Sequence, residues 1–214
     1  MLEKTILPRF VVFEGVDGSG KTTLVKALAK YYRSFAPHIS LYVDSFPGSI
    51  PGTLGEWVYR LHHKKAVDAP APDKIAPPAL QLLHVAAHVD AILTRIIPTL
   101  ERNGNVILDR YWWSTYAYSR NYLTAGQAWS LVYAERNFLS QLPQPIFIYL
   151  MRRTSLKADE IDPTMHAALD NYYYEVIEAE QKTGMHVYKL NNDGTIISVW
   201  TELLKVLELP YREM

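Results

Sequence analysis

The chain has 214 residues, 49% of them hydrophobic, enough to bury one substantial core. Its 22 Lys and Arg balance 22 Asp and Glu, so it lacks the basic field that binding to nucleic acid or anionic lipid requires. With no cysteine, disulfides, thiolate metal sites and Cys nucleophiles are excluded.

No apolar run reaches the roughly 18 residues of a membrane span, and MLEKTILPRF lacks a signal-peptide core. A soluble, cytoplasmic protein is the expectation.

The first element is an apolar run from Phe10 to Phe13, followed directly by Gly15-Val16-Asp17-Gly18-Ser19-Gly20-Lys21-Thr22. This fits G-x-x-x-x-G-K-[ST], for which the composition allows on the order of 0.003 chance matches. Glycines let backbone N–H groups turn inward around phosphate oxygens, and the next helix, near 20–35, presents its positive N-terminus to the same anion. Lys21 is placed to reach the β and γ phosphates of ATP, and the Thr22 hydroxyl to ligate Mg²⁺. Gly15, Asp17, Gly18, Ser19, Gly20, Lys21, Thr22 and Thr23 are therefore the expected nucleotide-binding residues.

A second strand is expected over Ile39 to Val43, then the pair Phe46-Pro47 and a helix near 53–64. Residues 66 to 78 hold four of the 13 prolines and read as a surface excursion that is neither helix nor central strand. A long helix near 78–102 follows, carrying His84 and His88. Four apart on one face they could ligate a metal, but no third ligand is near and HVAAH lacks the glutamate of a metalloprotease motif.

The third strand, Val106 to Leu108, ends in Asp109-Arg110. In an open parallel sheet, ligands collect at the carboxyl ends of strands. Asp109 is thus placed to hold a metal-bound water, and the planar Arg110 fork to grip a second phosphate. Strands at Ile146 to Leu150 and His186 to Leu190, and helices near 127–141, 163–182 and 195–208, complete a β–α alternation, with Asp193-Gly194-Thr195 capping the last helix. The expected fold is α/β: a single three-layer P-loop NTPase domain over 1–214, with a five-stranded parallel sheet flanked by helices. An Asn-Lys-x-Asp guanine-reading motif is not evident.

FVVFEGVDGSGKTTLVKALAKYY resembles the opening of thymidylate kinases, whose loop reads FEG-x-[DE]-G-x-GK-[ST]-T. DRYWWSTYAYSR resembles their D-R-[YH]-x-x-S-x-x-A-[YF] segment, and SFPGSIPGTLGEWVYRL the stretch with their Phe-Pro or Glu-Pro pair. The resemblance runs from about residue 10 to 208. It implies a P-loop nucleoside monophosphate kinase using ATP and Mg²⁺ on a deoxynucleoside monophosphate, dTMP first and another pyrimidine deoxynucleotide second.

By that resemblance, Asp17 binds the 3′-hydroxyl of the acceptor sugar, Arg110 the acceptor phosphate, and Asp109 the Mg²⁺ or its water shell. Ser114 and Thr115 lie along base and phosphate, Tyr118 stands where a ribose 2′-hydroxyl would project, and Phe46 walls the sugar. The family commonly stacks a phenylalanine on thymine four residues before an arginine that bonds the base; His84 and His88 occupy those positions. A lid near 151–162 supplies cations, with Arg152 and Arg153 as candidates because Gly18 stands where other members have a P-loop arginine. Ser45 and Gly48-Ser49 flank the Phe-Pro pair where relatives carry an arginine, a charge that Arg110, Lys64 or Lys65 would have to replace.

The resemblance also implies a homodimer through the long helix, with Leu82, Val85, Val89 and Ile92 at helical spacing. Small nucleotides are the expected partners, with neither nucleic acid nor membrane. Two other readings stay open: a deoxynucleoside kinase recruiting Glu14 or Asp109 as general base, and a nucleotide-binding regulatory protein without turnover.

Overall fold

Runs of apolar residues at β1 (Phe10–Glu14), β3 (Asn105–Asp109) and β4 (Ile146–Met151) are buried on both sides, the pattern of central strands in a parallel sheet. The computed structural model describes residues 7–63, 70–138, 143–151 and 163–214. With β2 (Leu41–Ser45) and β5 (Val187–Asn191) these strands form one sheet in the order β2-β3-β1-β4-β5, every pairing parallel. The five expected strands and their order along the chain are those observed.

Alternation along each central strand divides two cores. Phe10, Val12, Val106, Leu108, Phe147 and Tyr149 face one, and Val11, Phe13, Ile107, Ile148 and Leu150 face the other. The second face is covered by α1 (Lys21–Phe35) and α8 (Ile196–Val206), whose N-cap Thr195 accepts from Ser198 N as expected. Covering the first are α3 (Pro77–Ala91), α5 (Trp112–Ser119), α6 (Ala125–Phe138) and α7 (Pro163–Lys182). There Trp113 stacks on Phe147 at 4.1 Å with rings 3° apart, an offset aromatic pair adding about 0.5–1.5 kcal/mol beyond its burial. A short α2 (Leu54–His62) packs on α3.

The long helix is not uniform. After α3 comes a π-helical turn, Ile92–Ile96, in which Ile97 N bonds Ile92 O, and then α4 (Ile97–Glu101). Pro98 supplies the cause: it lacks an N–H and its ring would meet the carbonyl four residues back, a conflict that one extra residue in the turn relieves. The whole stretch Pro77–Glu101 is long and apolar enough on average to resemble a membrane span, yet Ala87, Ala91, Ile92 and Ile96 are buried within the chain. The expected interface stripe also needs correction. Val85 and Ile92 face the core, and the exposed or half-exposed positions are Leu82, Ala86, Val89 and Leu93.

Two further differences concern elements. The described part of the Pro-rich stretch makes a 3₁₀ turn at Pro72–Lys74, and its last two prolines, Pro77 and Pro78, already open α3, where the fixed φ of proline suits a helical first position. Helix α5 was not anticipated: seven of its eight residues are buried, so its aromatic-rich sequence shows no amphipathic period.

Candidate functional site

The loop after β1 owes its shape to two glycines in particular. Gly15 (φ 141°) passes so close to β4 that a Cβ would lie 2.7 Å from Leu150 O. Gly20 (φ 97°) opens α1 in the left-handed region, and a Cβ there would strike the Asn192 side chain. Asn192, just after β5, donates to Ser19 O at 2.5 Å and so props the loop from behind. Lys21 folds over the loop, its Nζ donating to Gly15 O at 2.9 Å and Val16 O at 2.7 Å. Burial and the neighbouring Arg110 guanidinium push its ammonium down to about 7, against the pull of Asp109, Asp17 and Glu14.

At the adjacent strand end, Thr22 Oγ1 donates to Asp109 Oδ2 at 2.5 Å, joining the two residues expected at a cation. Arg110 follows with φ 71°, a left-handed conformation that a non-glycine residue holds only against strain. Its Nη1 lies within reach of Gly15 O (3.1 Å), Ser114 Oγ (2.9 Å) and Tyr173 Oη (3.1 Å), and Nη2 donates to Asp17 Oδ1 at 2.5 Å. Burial works against the guanidinium charge, but Tyr118, Tyr173, Asp17 and Glu14 hold it protonated far beyond its usual range.

Tyr118 donates its hydroxyl to the other oxygen of Asp17. Burial raises the Asp17 carboxyl, yet Arg110, Tyr118 and Lys21 outweigh it and hold the group at about 2. Asp17 is therefore an anion pinned by a cation and a phenol.

Behind this sits Glu14, fully buried, accepting from Tyr111 N at 2.8 Å, Ser114 N at 3.2 Å and Ser114 Oγ at 2.6 Å. The carboxyl caps α5 from the neighbouring strand and fixes Ser114 under Arg110. Burial pushes it up to about 7 despite those donors. Its use as a cap is not legible in the sequence, because the helix it caps begins 98 residues later.

Asp17, Lys21, Thr22, Asp109, Arg110, Ser114 and Tyr118 share one cleft of about 500 Å³. One part is lined by Asp17, Gly18, Gly20, Lys21, Thr22 and Thr23, another by Ser45, Phe46, Gln81, His84, His88 and Tyr111, with Asp109, Arg110, Ser114, Thr115 and Tyr118 also on its wall. Phe46 is buried and stacks on His88 with centroids 4.3 Å apart. Burial, His88 and His62 push His84 down to about 3, keeping its ring neutral. His62 and His63 are exposed and line the cleft, and the His62 ring lies 5.4 Å from His84.

The structure thus brings together every expected residue except Arg152 and Arg153, which fall outside the described residues, as do Lys64 and Lys65. Gln81, Tyr173, Asn192 and Glu135 were missed. Gln81 was legible, sharing a helix face with His84 and His88 at spacings of three and seven. Nδ1 of His88 is engaged by Glu135, and among the described residues no group of three or more His, Asp or Glu has a metal-binding arrangement.

The thymidylate kinase family model matches residues 13–199. A thymidylate kinase of Mycoplasmopsis agalactiae is 29% identical over 207 residues, covering 91% of this chain and 94% of that protein. One from Bifidobacterium longum is 42% identical over 109 residues, about half of each chain. Among solved structures, thymidylate kinase from Ehrlichia chaffeensis superposes with TM-score 0.73 at 23% identity, over 94% of this chain and 98% of that one, a likeness of fold. With the phosphate loop, the Asp109-Arg110 strand end and a family match over most of its length, the chain belongs to the thymidylate kinase family, phosphotransferases acting on nucleoside monophosphates.

Proposed function

We propose that the protein transfers the γ-phosphoryl group of ATP to a deoxynucleoside monophosphate, dTMP before other pyrimidines, giving ADP and the diphosphate. The observation that carries this is Arg110, a half-buried and permanently charged fork beside the phosphate loop, in the same cleft as Lys21. A nucleoside acceptor has no phosphate for that fork. Glu14, a candidate base for a nucleoside kinase, is committed to the N-terminus of α5.

The loop amides and Lys21 hold the triphosphate. Arg110 takes the acceptor phosphate, keeping Nη1 anchored on Ser114 and Tyr173 while Nη2 turns from Asp17 to share it. Asp17 accepts a hydrogen bond from the acceptor sugar, and Tyr118 closes the space beside its 2′ carbon. An acceptor phosphate oxygen attacks the γ-phosphorus in line as the bond to ADP breaks, so no protein nucleophile is needed. Bringing two anions within about 3–3.5 Å demands fixed cations, which Lys21 and Arg110 supply.

Thr22 and Asp109 form the hard oxygen pair that fits Mg²⁺, directly or through water. Mg²⁺ held by Thr22 and Asp109 would offset the negative charge of the reacting phosphates. Arg152 and Arg153 are proposed as the lid cations.

The exposed apolar positions Leu82, Ala86, Val89 and Leu93 recur at helical spacing, which supports a homodimer through α3. Use of ATP suits a cytoplasmic location. The test is a coupled ADP-release assay with ATP and a panel of nucleosides and monophosphates. Release with dTMP and not thymidine supports the proposal, release with nucleosides alone overturns it, and binding without release indicates a regulatory protein.

A further inference from the structure

Helix α6 buries Ala128, Val132 and Glu135, a glutamate on the apolar face of an otherwise ordinary helix. Its Oε2 lies 2.6 Å from Nδ1 of His88, with the two side chains 0% and 3% exposed. The opposite ring nitrogen, Nε2, is buried and has no hydrogen-bond partner among the described residues, in a ring that lines the acceptor cleft. Stacking on Phe46 and the bond to α6 together prevent the imidazole from turning.

A contact of 2.6 Å needs one proton between the two atoms. If the pair holds two protons in all, it is neutral overall, whether written as carboxylic acid with imidazole or carboxylate with imidazolium. In both forms Nε2 carries hydrogen. Losing one proton would leave a net negative charge in a dry site, and the charged group that acts on His88, Asp44, is itself an anion. Burial accordingly pushes the Glu135 carboxyl well up and His88 down.

Stability does not account for the pair, since replacing such buried couples by apolar side chains is often neutral or stabilising. We propose that Glu135 is a positioning residue for base recognition: it keeps hydrogen on Nε2 of His88, so that the ring donates to an exocyclic carbonyl of the acceptor pyrimidine and disfavours an amino group there. This rests on the kinase reading above and gives that site its base preference. In the opposite tautomer, Nε2 would accept a hydrogen bond and the preference would reverse toward a 4-amino pyrimidine.

The test uses the full chain labelled with ¹⁵N-histidine, the variants Glu135→Leu and Glu135→Gln, and the substrates dTMP and dCMP. The parent should show a protonated, pyrrole-like Nε2 on His88 whose signal moves with dTMP and not with dCMP. Glu135→Leu should raise KM for dTMP about tenfold with kcat nearly unchanged, the effect of one lost neutral hydrogen bond. Glu135→Gln, whose amide can still donate to Nδ1, should restore the parent KM. An unprotonated Nε2 in the active parent, or Glu135→Leu with the parent's KM, overturns this inference alone. A parent inert toward every monophosphate overturns the kinase reading as well. If Glu135→Leu fails to fold, the parent spectrum and Glu135→Gln decide.

Discussion

Tyr118 donates its hydroxyl to Oδ2 of Asp17 at 2.6 Å, joining the wall of the acceptor cleft to the phosphate loop across 101 residues. The ring is thereby held in one place, as a steric gate must be. Tyr118→Phe keeps the ring and should accept ribonucleoside monophosphates little better than the parent. Tyr118→Ala removes the bulk and should raise kcat/KM for them about tenfold, the usual worth of a filled or emptied small pocket. Equal treatment of ribose and deoxyribose by parent and both variants would show that Tyr118 gates nothing.

Lys21 sits at the point where phosphate charge accumulates. Lys21→Ala should lower kcat by about 100-fold or more, as expected for losing a fixed charge at the transferring group. Its ammonium, held near 7 by burial, should also be driven back to the charged form by a triphosphate. At pH 8 nucleotide binding should therefore take up protons, and at pH 6 much less. Calorimetry in two buffers of different ionisation enthalpy measures the uptake, which Lys21→Ala should abolish.

Glu14 makes a stability prediction. Its folded-state value, about 7, lies above the ordinary 4.5, so the folded chain favours the protonated form. That contribution is complete below pH 4.5 and is lost as pH rises through 7. Urea unfolding of the parent and Glu14→Gln at pH 5 and pH 8 should differ in slope, the parent losing up to about 3 kcal/mol more. Comparing the two chains cancels the titration of the buried histidines. Parallel pH profiles would contradict the account.

Leu82 and Leu93 are 55% and 46% exposed on the same side of the long helix. Placing a charge at both, as Leu82→Asp with Leu93→Asp, should give a monomer by analytical ultracentrifugation where the parent is a dimer. A parent that sediments as a monomer removes the proposed interface.

The central strands and the phosphate loop were legible because each is local: a run buried on both faces, or glycines at fixed spacing before a helix. Helix α5 was not, since a segment packed on all sides has no polar face to betray its period. Glu14 and Glu135 show a different limit. Both stand out as charges in apolar surroundings, but Glu14 answers to Ser114 and Glu135 to His88, pairings made by strand order and helix packing rather than by nearness in the chain. The spacing of 128, 132 and 135 marks Glu135 as inward-facing and could have raised the question. Phe46 was expected beside a sugar, and its stacking on His88 depends on how β2 meets α3.

The widened turn at Ile92–Ile96 has a bearing on what mutation could reach. Each residue added to or removed from an α-helix rotates everything beyond it by about 100°. Deleting one residue from that turn would return a plain helical ladder while swinging Gln81, His84 and His88 away from Arg110, relative to a Leu100 still seated in the core. The orientation of the base-facing side is thus stored in an irregularity some distance from it, and chains lacking the proline at 98 would have to phase these three side chains by other means.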